Sequence, residues 1–270
     1  MRPLTAAVAL LLASPLFAQA PATDWDKETS ALLDKAISDN PFVSIPAQDE
    51  ILDVGRPCVP ALRAALKDAG AAKRYFAAEL LGKIHDPAAV PDLVALLDDL
   101  AEERTGEPVA AAAARALGRL GDASVGDKLI EKLDSTSIDV RYECARALGH
   151  LRVAKAEAKL LEILKKNETA ETFAGGVMPA AACEALGKLK AKSALTDVVL
   201  MMDKTTPEAR SGWTYDQIAI RALERISGES LGASDGAEKV ETIRKWKEWW
   251  AKQAPPKPPE EPPKPPEVPK

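Results

Sequence analysis

Side chains that could do chemistry recur at three fixed places in a twelve-residue segment that the chain repeats five times. The segments are KRYFAAELLGKI from Lys73, VAAAAARALGRL from Val109, VRYECARALGHL from Val140, MPAAACEALGKL from Met178 and YDQIAIRALERI from Tyr215. Position three reads Tyr75, Ala111, Tyr142, Ala180 and Gln217. Position seven reads Glu79, Arg115, Arg146, Glu184 and Arg221, and position eleven reads Lys83, Arg119, His150, Lys188 and Arg225. At about 100° per residue these places share one side of a helix. Positions seven and eleven hold seven Lys or Arg against two Glu, whereas the whole chain has 36 Lys+Arg against 41 Asp+Glu. The stripe is therefore basic on an acidic protein, and such a field attracts an acidic peptide, polymer or protein face. Glu79 with Lys83, and Glu184 with Lys188, also stand at i, i+4, where an ion pair supports its own helix by about 0.2–0.5 kcal/mol.

Catalytic signatures are missing from the sequence. Its two histidines, His85 and His150, belong to no HExxH, and the chain holds no GxSxG, no P-loop and no glycine-rich dinucleotide fingerprint. Cys58, Cys144 and Cys183 show neither a CxxC pair nor a metal spacing. One disulfide would leave an odd thiol. Alternatively the cysteines fill core slots, since Cys144 and Cys183 sit at positions five and six, where alanine is otherwise common. On these grounds the expectation is a protein that is not an enzyme and uses no metal or cofactor.

The elements that must position the stripe are amphipathic helices. Positions five (Ala77, Ala113, Cys144, Ala182, Ala219), nine (Leu81, Leu117, Leu148, Leu186, Leu223) and twelve (Ile84, Leu120, Leu151, Leu189, Ile226) form an i, i+4, i+7 apolar face. Each segment follows a shorter apolar helix, beginning at Val59, Val90, Gly126, Glu157 and Leu195. Start-to-start spacings of 36, 31, 38 and 37 residues are those of a helical hairpin copied and stacked. Position ten is Gly82, Gly118, Gly149 and Gly187, then Glu224. Glycine inside a helix costs about 1 kcal/mol against alanine, so its return predicts a neighbouring helix in close approach.

Three turns between paired helices swell to DDLAEERTGEP, KKNETAETFAGGVMP and DKTTPEARSGWTYD. They lie on one edge of the stack, and Phe173, Trp213 and Tyr215 make that edge a second candidate contact site; tolerated insertion is the other reading. Residues 1–20, with Arg2, an apolar run from Leu4 to Leu12 and Ala18-Gln19-Ala20, read as a signal peptide cut after Ala18 or Ala20. Residues 21–56 read as a capping hairpin, 57–228 as the repeats, 229–253 as a tryptophan-bearing capping helix and 254–270 as a disordered proline-rich tail, either a spacer or a tether. The net charge of −5 argues against a wholesale nucleic-acid binder, and no membrane span is expected once the signal is removed.

The order of apolar helix, Asp (Asp68, Asp134), then V-R-x-x-x-A-x-A-L-G-x-L resembles HEAT repeats, specifically the short HEAT-like repeats of phycobilisome lyases. The resemblance covers about Pro57 to Gly228. It implies an all-α, right-handed α-solenoid of stacked helical hairpins, about five regular repeats plus end caps, with the stripe on the concave face. It also implies that Arg74 and Arg141 bond the aspartate of the intervening turn, while Ala110, Pro179 and Asp216 depart from that pattern. The resulting expectation is an exported, periplasmic or secreted, non-catalytic scaffold. It would bind a protein or acidic polymer through Tyr75, Lys83, Arg115, Arg119, Tyr142, Arg146, His150, Lys188, Arg221 and Arg225. The alternatives are an enzyme or enzyme subunit of the bilin-lyase type, or a purely structural envelope spacer.

Overall fold

Proline, aspartate and glycine at the unit boundaries cut the chain into short helices. The computed structural model describes residues 24–204 and 212–253. The segments read as a signal peptide (1–20) and a proline-rich tail (254–270) lie outside the described residues. Two helices, α1 (Trp25–Ala36) and α2 (Pro41–Val54), lead the chain. Five pairs follow: α3 (Val59–Ala65) with α4 (Ala71–Ile84), α5 (Val90–Ala95) with α6 (Val109–Leu120), α7 (Gly126–Glu131) with α8 (Ile138–His150), α9 (Glu157–Lys166) with α10 (Met178–Leu189), and α11 (Leu195–Met201) with α12 (Tyr215–Ser227). The last helix is α13 (Lys239–Gln253). The described residues form no strand, only the isolated bridges Glu102–Pro108 and Glu171–Val177. The architecture is an α-solenoid.

The second helices α4, α6, α8, α10 and α12 form one packed row, each against the next. Positions five and nine are fully buried in every copy. The glycine column explains the spacing of the row. A Cβ on Gly82, Gly118, Gly149 or Gly187 would stand 2.7, 3.0, 2.6 and 2.8 Å from the Cα of Ala116, Ala147, Ala185 and Ala222, which occupy position eight of the following copy. Glycine on one helix and alanine on the next let the backbones touch. Glu224 takes the place in α12, where no further copy follows. The long turns that start α6 and α10 share a frame as well: Glu102 and Glu171 precede Gly106 (φ 92°) and Gly175 (φ 76°) by four residues, and the left-handed glycine reverses the chain.

Several local expectations are corrected. The Asn40 Oδ1 accepts from the Phe42 N–H at 3.0 Å and caps α2, which runs through Pro46 without a break. Asp24 caps α1, its Oδ1 accepting from the Lys27 N–H at 3.2 Å. The segment read as a capping helix from residue 229 is helical only from Lys239, after Gly236 turns left-handed (φ 66°). Arg74 bonds the Asp68 carbonyl (2.8 Å) and pairs with the Asp99 carboxylate of the next unit (2.6 Å), not with the Asp68 carboxylate. Arg141 likewise reaches forward, to Glu168 at 2.9 Å, while Asp134 pairs with Lys159. The arginine therefore ties neighbouring units, because its long side chain overreaches its own turn. The three cysteines are buried free thiols, and burial pushes Cys183 up to about 12.

Candidate functional site

The stripe divides into two halves of different character. In the first, Arg115 is enclosed. Its Nη1 donates to Glu79 at 2.6 Å, its Nε to Glu143 at 3.1 Å, and its Nη2 to Glu107. Arg119 donates to the other Glu79 oxygen at 2.9 Å, and the Tyr75 hydroxyl donates to Glu107 at 2.5 Å. Burial raises the cost of ionising Glu79, yet Arg115 and Arg119 outweigh it and hold the carboxyl below its ordinary range. Burial likewise opposes the Arg115 charge, and Glu143, Glu79 and Glu107 more than restore it. Lys83 stays exposed, since Glu79 has turned to the two arginines. Glu107 comes from a long turn and Glu143 from position four, so both lie outside the three places that suggested a basic surface. Here the positive charge is already matched.

The second half is more open. Arg146 lies 3.7 Å from Glu143 and from Glu184, and its buried Nε has no hydrogen-bond partner. Lys188 pairs with Glu184 at 2.7 Å and contacts His150 Nε2 at 2.8 Å. An ammonium only donates, so His150 accepts through Nε2 and carries its proton on Nδ1. Burial, then the Lys188 charge, lower the His150 pKa below its ordinary 6.5. Arg221 stacks on Trp213, its guanidinium carbon 3.5 Å from the ring centroid. Among the described residues neither Arg221 nor Arg225 has a carboxylate within ion-pairing distance. Tyr142, Arg146, Ala180, Glu184, Trp213, Ile218, Arg221 and Arg225 line a cleft of about 160 Å³.

Sequence reasoning singled out five of these lining residues and missed Ala180, Glu184 and Ile218 as site members. Position three is not a solvent-facing place: Tyr142 and Ala180 are buried, because the long turns fold back over it. The second candidate edge separates. Trp213 joins the cleft and Tyr215 is buried, whereas Phe173 stays exposed, its backbone N–H bonded to Asp139 and its ring 3.8 Å from where a Gly106 Cβ would stand. Aligning the long turns on their Glu-x-x-x-Gly frame was the signal available for Glu107 and Trp213, each of which follows the glycine.

The family model described as PBS lyase HEAT-like repeat matches residues 73–99, and the one described as HEAT repeats matches residues 100–174. The chain carries HEAT-like repeats of the PBS lyase type. These repeats are 33% identical over 167 residues to phycocyanobilin lyase subunit alpha of Picosynechococcus sp., covering 58% of this chain and 60% of that one. The subunit of the same name from Synechocystis sp. is 32% identical over 171 residues, 59% of this chain and 60% of the relative. The chain thus spans about 60% of the length of these curated relatives. The solved complex of CpcE and CpcF of phycocyanin lyase from Nostoc sp. aligns with a TM-score of 0.53 and 30% identity over 63% of this chain and 65% of that one.

These relatives overturn three expectations. The repeats resemble lyase subunits, so the non-catalytic scaffold and the statement that the protein is not an enzyme are withdrawn. A search for linear motifs reports only sites built from residues close in sequence. The exported, periplasmic or secreted assignment is withdrawn on the same kinship. It rested on the composition of residues 1–20, where a basic residue, an apolar run and small residues do not by themselves define an address. No described helix is long and apolar enough to cross a membrane.

Proposed function

We propose that this HEAT-like chain is an enzyme subunit of the bilin-lyase type that holds an open-chain tetrapyrrole in the cleft between α8, α10 and α12. One observation carries the reading: the cleft joins a buried Arg146 Nε lacking a hydrogen-bond acceptor and two arginines, Arg221 and Arg225, that meet no carboxylate among the described residues, to the rings of Tyr142 and Trp213. A bilin presents two propionate carboxylates on a flat conjugated body. The arginines match the carboxylates, as planar donors suited to bidentate contact, and the rings match the body. Kinship with subunits named phycocyanobilin lyase supports the same substrate class. The solved relative is a complex of two lyase chains, which supports a second protein subunit as partner.

The residues have separate tasks. Trp213 holds the Arg221 guanidinium in a plane by cation–π contact, leaving its edge N–H groups for a carboxylate. Glu184, the one carboxylate among the described residues lining the cleft, pairs with Lys188 at 2.7 Å and stands 3.7 Å from Arg146, and it makes no ion pair with Arg221 or Arg225 among those residues. The test supplies the protein with phycocyanobilin and an apo-phycocyanin acceptor, alone and with a second lyase subunit, and follows covalent chromophore by zinc-enhanced fluorescence on denaturing gels. The expected result is acceptor labelling that R221Q/R225Q lowers at least about tenfold, roughly one lost charged contact's worth. No bilin uptake and no labelling in any combination rejects the reading.

A further inference from the structure

The three long turns share one sequence frame, and the residues that differ within it explain why the cleft lies where it does. Each carries Glu four residues before Gly (Glu102–Gly106, Glu171–Gly175, Glu208–Gly212), and each helix begins three residues after that glycine, at Val109, Met178 and Tyr215. All three glycines are left-handed, Gly212 at φ 69°. The residue after the glycine serves position three of the preceding second helix. In the first copy Glu107 accepts from the Tyr75 hydroxyl. In the second, Gly176 makes room for Tyr142, since a Cβ there would stand 2.6 Å from the ring. In the third the sizes are exchanged: position three is Ala180, and the loop supplies Trp213, whose ring lies on Arg221. Tyrosine is met by its loop residue in two copies; alanine leaves the cleft in the third.

We infer that Ala180 is the residue that opens this cleft, and that the Trp213–Arg221 stack above it selects a flat, conjugated anion. The inference rests on reading the cleft as the ligand site but not on the ligand being a bilin. Trp213, Ile218 and the Ala180 methyl offer apolar faces to a planar body. Arg146, Arg221 and Arg225 face its acidic groups, and a tyrosine at position 180, as at 75 and 142, would occupy the space between them.

The experiment titrates the full chain with two probes, anilinonaphthalene sulfonate and phycocyanobilin, reading probe fluorescence or absorbance and tryptophan quenching. The dimethyl ester of the bilin supplies an uncharged comparison. A180Y is expected to weaken both acidic probes at least about tenfold, with A180V and A180L graded between, as filling a cavity of this size demands. A180S should stay within about twofold, and the ester should bind at least about tenfold more weakly than the diacid. Thermal melts identify any variant that fails to fold, and A180V and A180L then carry the comparison. Equal binding by A180Y and the unsubstituted chain overturns the gate. Equal binding of ester and diacid overturns the anion selection, and binding of neither probe by the unsubstituted chain overturns both. Sulfonate binding lost in A180Y, with no bilin binding at all, leaves the gate standing and removes the bilin reading.

Discussion

Arg115 and Arg221 occupy the same place in their repeats yet do opposite work, and the carboxylates around them make the difference. Arg115 is held by Glu79, Glu107 and Glu143, with Glu143 only 1% exposed. Removing one partner of a buried ionic cluster leaves the others uncompensated, so Arg115→Leu is expected to cost about 3–5 kcal/mol in chemical denaturation. R221L, which strands no carboxylate, should fall within about 1 kcal/mol. His150 makes a prediction in pH. Its folded pKa lies below 6.5, so the unfolded chain takes up the proton first as pH falls. Stability is then lost from about pH 6.5 downward through the folded pKa. Glu79, also depressed in the folded state, adds a second loss from about pH 4.5 downward. Denaturation midpoints measured between pH 7.5 and 5 should show the first loss in the natural chain and lose that part in H150Q.

At the scale of elements, the glycine column sets how closely the second helices stack. Gly149→Ala gains about 1 kcal/mol in helix propensity. However, it places a methyl 2.6 Å from the Ala185 Cα and 2.9 Å from its Cβ. Backbone cannot move aside as a side-chain tip can, so overpacking of about 1–3 kcal/mol wins and the melting temperature falls. E224A, at the same place in α12 with no following copy against it, should change stability by less than about 0.5 kcal/mol. The long turns act at this scale too. The residue after each left-handed glycine differs: Glu107 accepts from Tyr75 at position three, Gly176 leaves room for Tyr142 there, and Trp213 lies on Arg221 and lines the cleft with Ala180.

In the whole molecule the helices pack chiefly on those of neighbouring repeats, although the long turns reach one unit further, Arg104 to Asp39 and Phe173 towards Gly106, so damage to one pair of helices stays largely local. α13 packs on α11 and α12: Trp246 is fully buried and packs edge-on to Trp249 at 5.2 Å, and Lys239 pairs with the buried Asp216 of α12 at 2.8 Å. Trp246→Ala is expected to cost about 3–5 kcal/mol. By hydrogen exchange the loss should appear in α11, α12 and α13 while α4 and α6 keep their protection. The sequence alone determined the helical pairs, the solenoid, the glycine approach and the basic stripe, because repetition makes the 3.6-residue periodicity legible five times over. It also placed Arg146, Arg221 and Arg225 on one side of their helices. Tertiary structure alone decided that Glu107 and Glu143 would neutralise Arg115, that Tyr142 and Ala180 would be buried, and that Trp213 would lie on Arg221. These contacts bring a residue of a long turn onto the helix that follows it, as Glu107 onto Arg115 and Trp213 onto Arg221, or join side chains of neighbouring helices, as Glu143 with Arg115; helical periodicity reports direction around one helix, not what a turn or a neighbouring helix brings to meet it.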